Sequence, residues 1–153
     1  MAGTKQIANN RKAYHDYDLG DSFEAGLVLM GSEVKSLRDG HCNLRDGFVE
    51  ERGGELWLLQ ADIPLYKHAK LWGHTDPRRP RKLLLHRQEI LKLIAQLRER
   101  GMTIIPTKMY WKDGRAKVEI ALAKGRRDYD KRGVTAERDV QRDIRRTLKN
   151  QDY

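Results

Sequence analysis

Cysteine is nearly absent: Cys42 is the only one in 153 residues. No disulfide can form within the chain, and a cysteine-rich zinc site is excluded. A reducing cytosol suits such a chain. The five histidines show no metal-ligand spacing. Apolar runs are short, and none approaches the roughly 20 residues that span a bilayer. The first residues, Met1-Ala-Gly-Thr-Lys-Gln-Ile7, lack the apolar centre of a signal peptide. No glycine-rich phosphate loop followed by Lys-Ser or Lys-Thr occurs. His41-Cys42 lacks an evident orienting partner for thiol catalysis, and a small half-buried cysteine is the simpler reading.

What is abundant is positive charge. Thirty-one Lys and Arg face 22 Asp and Glu, for a net charge of +9. A chain this basic most often meets nucleic acid, with an anionic membrane surface second. Hydrophobic residues make up 39%, enough for one modest core. The length suits one domain plus an appendage. Residues 1–123 are expected to form the body, with residues 1–12 as a polar, mobile arm, and residues 124–153 a basic tail.

Phe23 to Met30 alternates, with Phe23, Ala25, Leu27 and Leu29 on one face of a strand. Ser32 is placed to cap a short helix, Glu33 to Arg38, closed by Asp39-Gly40. Gly53-Gly54 and Asp113-Gly114 centre two tight hairpins, because both central residues of such turns need positive φ. A basic loop, Asp76 to Arg81, precedes a helix over Leu84–Arg100, with Leu84, Ile90, Leu91, Ile94 and Leu97 at near-helical spacing. Five or six short strands with one or two inserted helices predict a mainly β fold, a small closed barrel of the OB type.

The segment Lys124-Gly125-Arg126-Arg127-Asp128-Tyr129-Asp130-Lys131-Arg132 combines glycine, cations and one ring. Cations pair with phosphates and a ring can stack on a base. Beyond it, Arg138, Arg142, Arg145, Arg146 and Lys149 fall on one helical stripe, opposite Val140, Ile144 and Leu148. Like charges at i, i+4 weaken that helix in isolation. The tail is expected to be disordered when free and helical on RNA. A merely solvated charged helix is the alternative.

Asn10, Arg11, Lys12 and His15, with Tyr14 and Tyr17, supply groups that contact phosphates and bases. The competing reading is an ordinary strand entry, with one tyrosine in the core. Glu24 points away from Phe23, where a carboxylate can accept from a base or sugar, or only solubilise. Trp57, Trp72 and Trp111 read as core or barrel-rim residues. Glu33-Val34-Lys35 matches half of a metal nuclease site, with Asp16, Asp18 and Asp21 upstream. So short a pattern is common in a highly charged chain.

Taken together, several pieces resemble the SsrA-binding protein family, also called small protein B, the bacterial partners of transfer-messenger RNA. They are Asn10-Arg-Lys-Ala-Tyr-His15 with Tyr17, Phe23-Glu-Ala-Gly-Leu27, Glu33-Val-Lys-Ser-Leu-Arg38, Asp76-Pro77, Arg81-Lys-Leu-Leu-Leu85, Tyr110-Trp-Lys112, and Lys124-Gly125 leading to Asp130-Lys-Arg132. The resemblance implies an OB barrel and a non-catalytic adaptor that rescues stalled ribosomes. The barrel would clasp the tRNA-like part of transfer-messenger RNA and travel with elongation factor Tu. By position, Asn10, Arg11, Lys12, His15, Glu24, Lys35, Arg38, Arg81, Lys82, Leu83 and Leu84 would belong to that RNA face. Gly125, Arg126, Arg127, Tyr129, Asp130, Lys131, Arg132 and the basic stripe would enter the decoding centre and mRNA channel of the small ribosomal subunit. Gly133 stands where the family usually has a better helix former. The implied protein is a cytoplasmic monomer that needs no cofactor, metal or membrane.

Overall fold

The computed structural model describes residues 4–125, except the Lys70 side chain. Beyond them it gives only the backbone of Arg145–Arg146 and Asn150–Gln151, a two-residue parallel pair outside the main sheet. The elements run β1 (Thr4–Asn9), α1 (Arg11–Asp16), β2 (Tyr17–Leu27), α2 (Gly31–Arg38), β3 (Phe48–Arg52), β4 (Glu55–Leu59), β5 (Arg81–Leu84), α3 (Arg87–Leu97), β6 (Met102–Lys112) and β7 (Arg115–Gly125). Seven strands form one antiparallel sheet in the order β1-β6-β7-β2-β5-β4-β3. Among the described residues, no helix is long and apolar enough to cross a membrane.

Both hairpins form where their turn residues lie. Gly53 and Gly54 have φ of 60° and 82°, and Asp113 and Gly114 of 53° and 77°. Inward positions recur with period two: Leu56 and Leu58 on β4, Val118, Ile120 and Leu122 on β7. They meet Ala25, Leu37, Leu44, Leu93, Ile104 and Met109 in one core. α1 lies on the other face of the sheet, where Ala13 packs with Ile105 and Ala123.

Four local expectations change. Thr4–Asn9 is not a mobile arm but a strand on the outer edge of β6, with Ile7 and Ala8 packed on the core. β2 begins at Tyr17, not Phe23, because Tyr17 to Leu19 already pair with β7. Ser32 does not cap α2: the Glu33 carboxylate accepts the Met30 N–H at 2.8 Å instead. Leu84 belongs to β5 opposite Gly26, with Leu83 buried and Leu84 51% exposed. That is strand alternation, and α3 starts at Arg87, where Glu89 accepts the His86 N–H at 3.1 Å.

The expected closed barrel is not joined by a ladder. β3 lies beside β6, yet the sheet order ends at β3. Pro106, in the facing part of β6, has no N–H to donate. The approach is close, since a Cβ on Gly47 would fall 2.9 Å from Pro106 Cγ. A side chain bridges this seam. Asn10 Nδ2 donates to the Leu44 carbonyl at 3.2 Å and to the Pro106 carbonyl at 2.8 Å.

Candidate nucleic-acid interface

α1 presents the first group of candidate residues. Asn10 is its N-cap and is 4% exposed. Besides the two seam bonds, its Oδ1 accepts the Ala13 N–H at 3.3 Å and its own N–H donates to the Thr107 carbonyl at 2.7 Å. Both amide protons and one acceptor site are therefore committed inside the protein. Arg11, Lys12 and His15 are exposed on the same helix. Arg11 and Lys12 have no ion pair or hydrogen-bonded side chain among the described residues, while His15 Nδ1 lies 3.1 Å from the Asp16 carboxylate. Asn10 thus holds a helix whose outward side is cationic.

Across β2, β7 and β6 lies a second group. Glu24 sits opposite Glu119 on β7, which sits opposite Lys108 on β6. Glu24 accepts the Tyr110 hydroxyl at 2.5 Å and lies 3.3 Å from Lys112 Nζ. That hydroxyl bond is the main force holding the Glu24 carboxyl below its usual value; partial burial opposes it, and Lys112 reinforces it. Tyr110 is pushed the other way, by burial first and then by Glu24. Glu119 accepts the Thr107 hydroxyl at 2.5 Å and lies 3.8 Å from Lys108 Nζ. Each carboxylate on this face has a lysine within ion-pair distance, so neither stands as an isolated negative charge toward a polyanion.

The Arg81-Lys-Leu-Leu segment splits by strand alternation. Arg81 and Leu83 are fully buried. Arg81 Nε donates to Glu33 at 2.8 Å, and its other nitrogens donate to the Ala61 and Pro77 carbonyls at 2.8 and 2.9 Å. Arg79 forks onto the same carboxylate at 2.8 and 2.6 Å. Lys82 and Leu84 face outward, Lys82 loosely paired with Glu55 at 3.9 Å. Gly26 leaves room for Leu84, since a Cβ there would come within 3.3 Å of the leucine Cβ. Lys35 and Arg38 are exposed on α2 without a partner among the described residues.

The nuclease pattern dissolves at the same carboxylate. Glu33 is fully buried, and both its oxygens are taken by guanidinium groups. Burial alone would raise its pKa, but the bonds from Arg79, the Met30 N–H and Arg81 outweigh it and keep the group charged. No cluster of three metal-ligating side chains occurs among the described residues. Cys42 is half-buried, and burial pushes its thiol up to about 12. It carries almost no thiolate at neutral pH.

Gly125 is the last residue of β7 and pairs with Tyr17. Arg126, Arg127, Tyr129, Asp130, Lys131, Arg132, Arg138, Arg142 and Lys149 lie outside the described residues, as do the side chains of Arg145 and Arg146. Sequence reasoning gave Tyr110 and Lys112 no role, because 86 and 88 residues separate them from Glu24. Only strand register brings them together. Trp72 is not a core residue, being 55% exposed, whereas Trp57 and Trp111 are half-buried.

Residues 7–150 match the family described as "SmpB protein". An SsrA-binding protein of Acidothermus cellulolyticus is 54% identical over 147 residues, 96% of this chain and 92% of the relative. One from Sulfurihydrogenibium is 54% identical over 95% of both chains. A solved chain from the work described as "tmRNA-SmpB: a journey to the center of the bacterial ribosome" is 39% identical, covers 84% of this chain and 94% of that one, and superposes with a TM-score of 0.67.

Proposed function

The chain belongs to the SmpB protein family, and from that premise we propose how its geometry serves an RNA-binding adaptor. The protein binds transfer-messenger RNA and acts with it on the ribosome in trans-translation. The observation that carries this is the match across body and tail together, residues 7–150. The surface agrees with it: Arg11, Lys12, Lys35 and Arg38 are exposed cations with no acidic partner among the described residues, and such cations bind phosphates by releasing counterions.

The finer reading divides the work. The body takes the tRNA-like domain, with the α1 cations, Lys82, Leu84 and the Glu24–Tyr110–Lys112 group as its contacts. Asn10, Arg81 and Leu83 act from inside by holding those contacts in place. The sheet curls into an OB-type barrel whose β3–β6 seam is stapled by Asn10 rather than by a ladder. The tail from Arg126 enters the decoding centre and empty mRNA channel, with Tyr129 stacking on a ribosomal base. The protein works as a cytoplasmic monomer, beside elongation factor Tu on the charged RNA.

Sequencing the RNA that copurifies with the full chain tests the function. Enrichment of one structured RNA ending in CCA is expected. A broad mixture of messages and fragments would point instead to a general single-strand binder.

A further inference from the structure

The long connection between β4 and β5 is pinned to α2. Ser36 Oγ donates to the Pro64 carbonyl at 2.6 Å. His74 is buried, its N–H donates to Ser32 Oγ at 2.8 Å, and its ring nitrogens lie 2.6 Å from Ser32 Oγ and 2.9 Å from the Ile63 carbonyl. The ring nitrogen facing the Ile63 carbonyl donates to it, because a carbonyl oxygen can only accept. Gly73 closes the turn, because a Cβ there would fall 2.7 Å from that of Ala69. Bonds from Ala69 N–H to the Tyr66 carbonyl and from Trp72 N–H to the Ala69 carbonyl wind residues 66–72 into successive turns.

This rigid mount displays an indole. Trp72 lies over Gly31 at the start of α2, with its ring 6.3 Å from Tyr66, which in turn stands edge-on to His68 at 5.3 Å. Leu71 beside it is fully exposed. Residues 63–75 contain Lys67 and Lys70 and no Asp or Glu. Of the flanking acids, Asp62 lies 3.4 Å from the Arg78 guanidinium and Asp76 accepts the Arg78 backbone N–H at 2.9 Å. Lys35 stands one helical turn from Gly31, and neither Lys35 nor Lys67 has a partner among the described residues. A partner cationic or neutral in charge gains nothing from such a rim. An exposed ring on a segment that carries lysines and no acid matches the flat face of a base and the phosphates on either side of it.

We propose that Trp72, flanked by Lys35 and Lys67, is a stacking platform for one unpaired base of the bound RNA. The proposal rests on the RNA-binding function above and adds a contact the family motifs did not single out. Stacking explains the exposed ring, and the pinned loop explains how little ordering it would require on binding.

The test measures affinity of the full chain for a transcribed tRNA-like domain of transfer-messenger RNA over a range of salt. Trp72→Ala is expected to weaken binding about 5- to 150-fold, and Trp72→Phe to keep most of it. The salt slope should not change in Trp72→Ala, since stacking releases no counterion. Lys67→Ala removes the cation that neutralises one phosphate beside the unpaired base, so its slope should fall by about 0.7 in magnitude. A Trp72→Ala protein that melts normally and binds with unchanged affinity would overturn the platform. So would equal losses for the alanine and phenylalanine variants. If the unaltered chain prefers this RNA no more than a paired duplex of equal length, the functional reading itself fails.

Discussion

Glu33→Ala should be among the most destabilising single changes in the body. The Glu33 carboxylate is fully buried and accepts four N–H bonds, from Met30, twice from Arg79, and from Arg81. Arg81 is equally buried. Removing the acid leaves a guanidinium in the interior with two carbonyls and no counter-charge. Breaking a buried pair this way costs about 3–5 kcal/mol, and losing the Glu33 bond to the Met30 N–H at the start of α2 adds about 1 kcal/mol. Against a typical total of about 5–15 kcal/mol, this is a large fraction. At about 2–4 °C per kcal/mol, melting should drop by at least ~8 °C. Calorimetry or urea unfolding at neutral pH reads it directly.

The pH dependence gives an internal check. The Glu33 pKa is lowered in the folded state. Its contribution is therefore complete above the carboxyl's unfolded pKa and is lost as pH falls through the folded value. The difference between native and Glu33→Ala stabilities should shrink only on that acid side. A melting loss under ~3 °C, or a gap that persists unchanged into acid, would refute the argument that the ionised pair holds α2 to the 61–81 loop.

Other changes have equally definite outcomes. Asn10→Ala orphans the seam carbonyls of Leu44 and Pro106 and should cost about 2–3 kcal/mol in urea unfolding; a neutral effect would mean the seam needs no staple. Tyr110→Phe removes the main influence lowering Glu24, so an NMR titration should find the Glu24 midpoint raised toward 4.5; an unmoved midpoint would show that Lys112 suffices. Tyr129→Ala should leave affinity for free transfer-messenger RNA intact and slow tagging on the ribosome; a large loss off the ribosome would place the ring on the body's RNA face instead.

Features set by near neighbours were legible in the chain. Gly53-Gly54 and Asp113-Gly114 demand their turns locally, and the alternation around Val118 to Leu122 announces its own face. β1 and β5 were not legible, because their identity comes from distant partners. Thr4–Asn9 has little apolar pattern and becomes a strand by meeting β6. Arg81 looks like a phosphate-binding cation until the fold brings in Glu33, 48 residues away. Asn10 likewise has a second role that only the fold reveals. Its residue type suits RNA contact, but burial gives every amide proton a protein acceptor.

The rung between Tyr17 and Gly125 makes the sheet the fixed post of a short tether. Tyr129 lies four residues along from Gly125, and four extended residues span at most ~14 Å. However the following segment folds, the Tyr129 backbone stays within that radius of the end of β7. The body is therefore a gauge block: its position bounds where Tyr129 can lie, and a displaced body moves that sphere by the same distance. Inserting a few glycines after Gly125 would enlarge the sphere without altering how the body packs or docks.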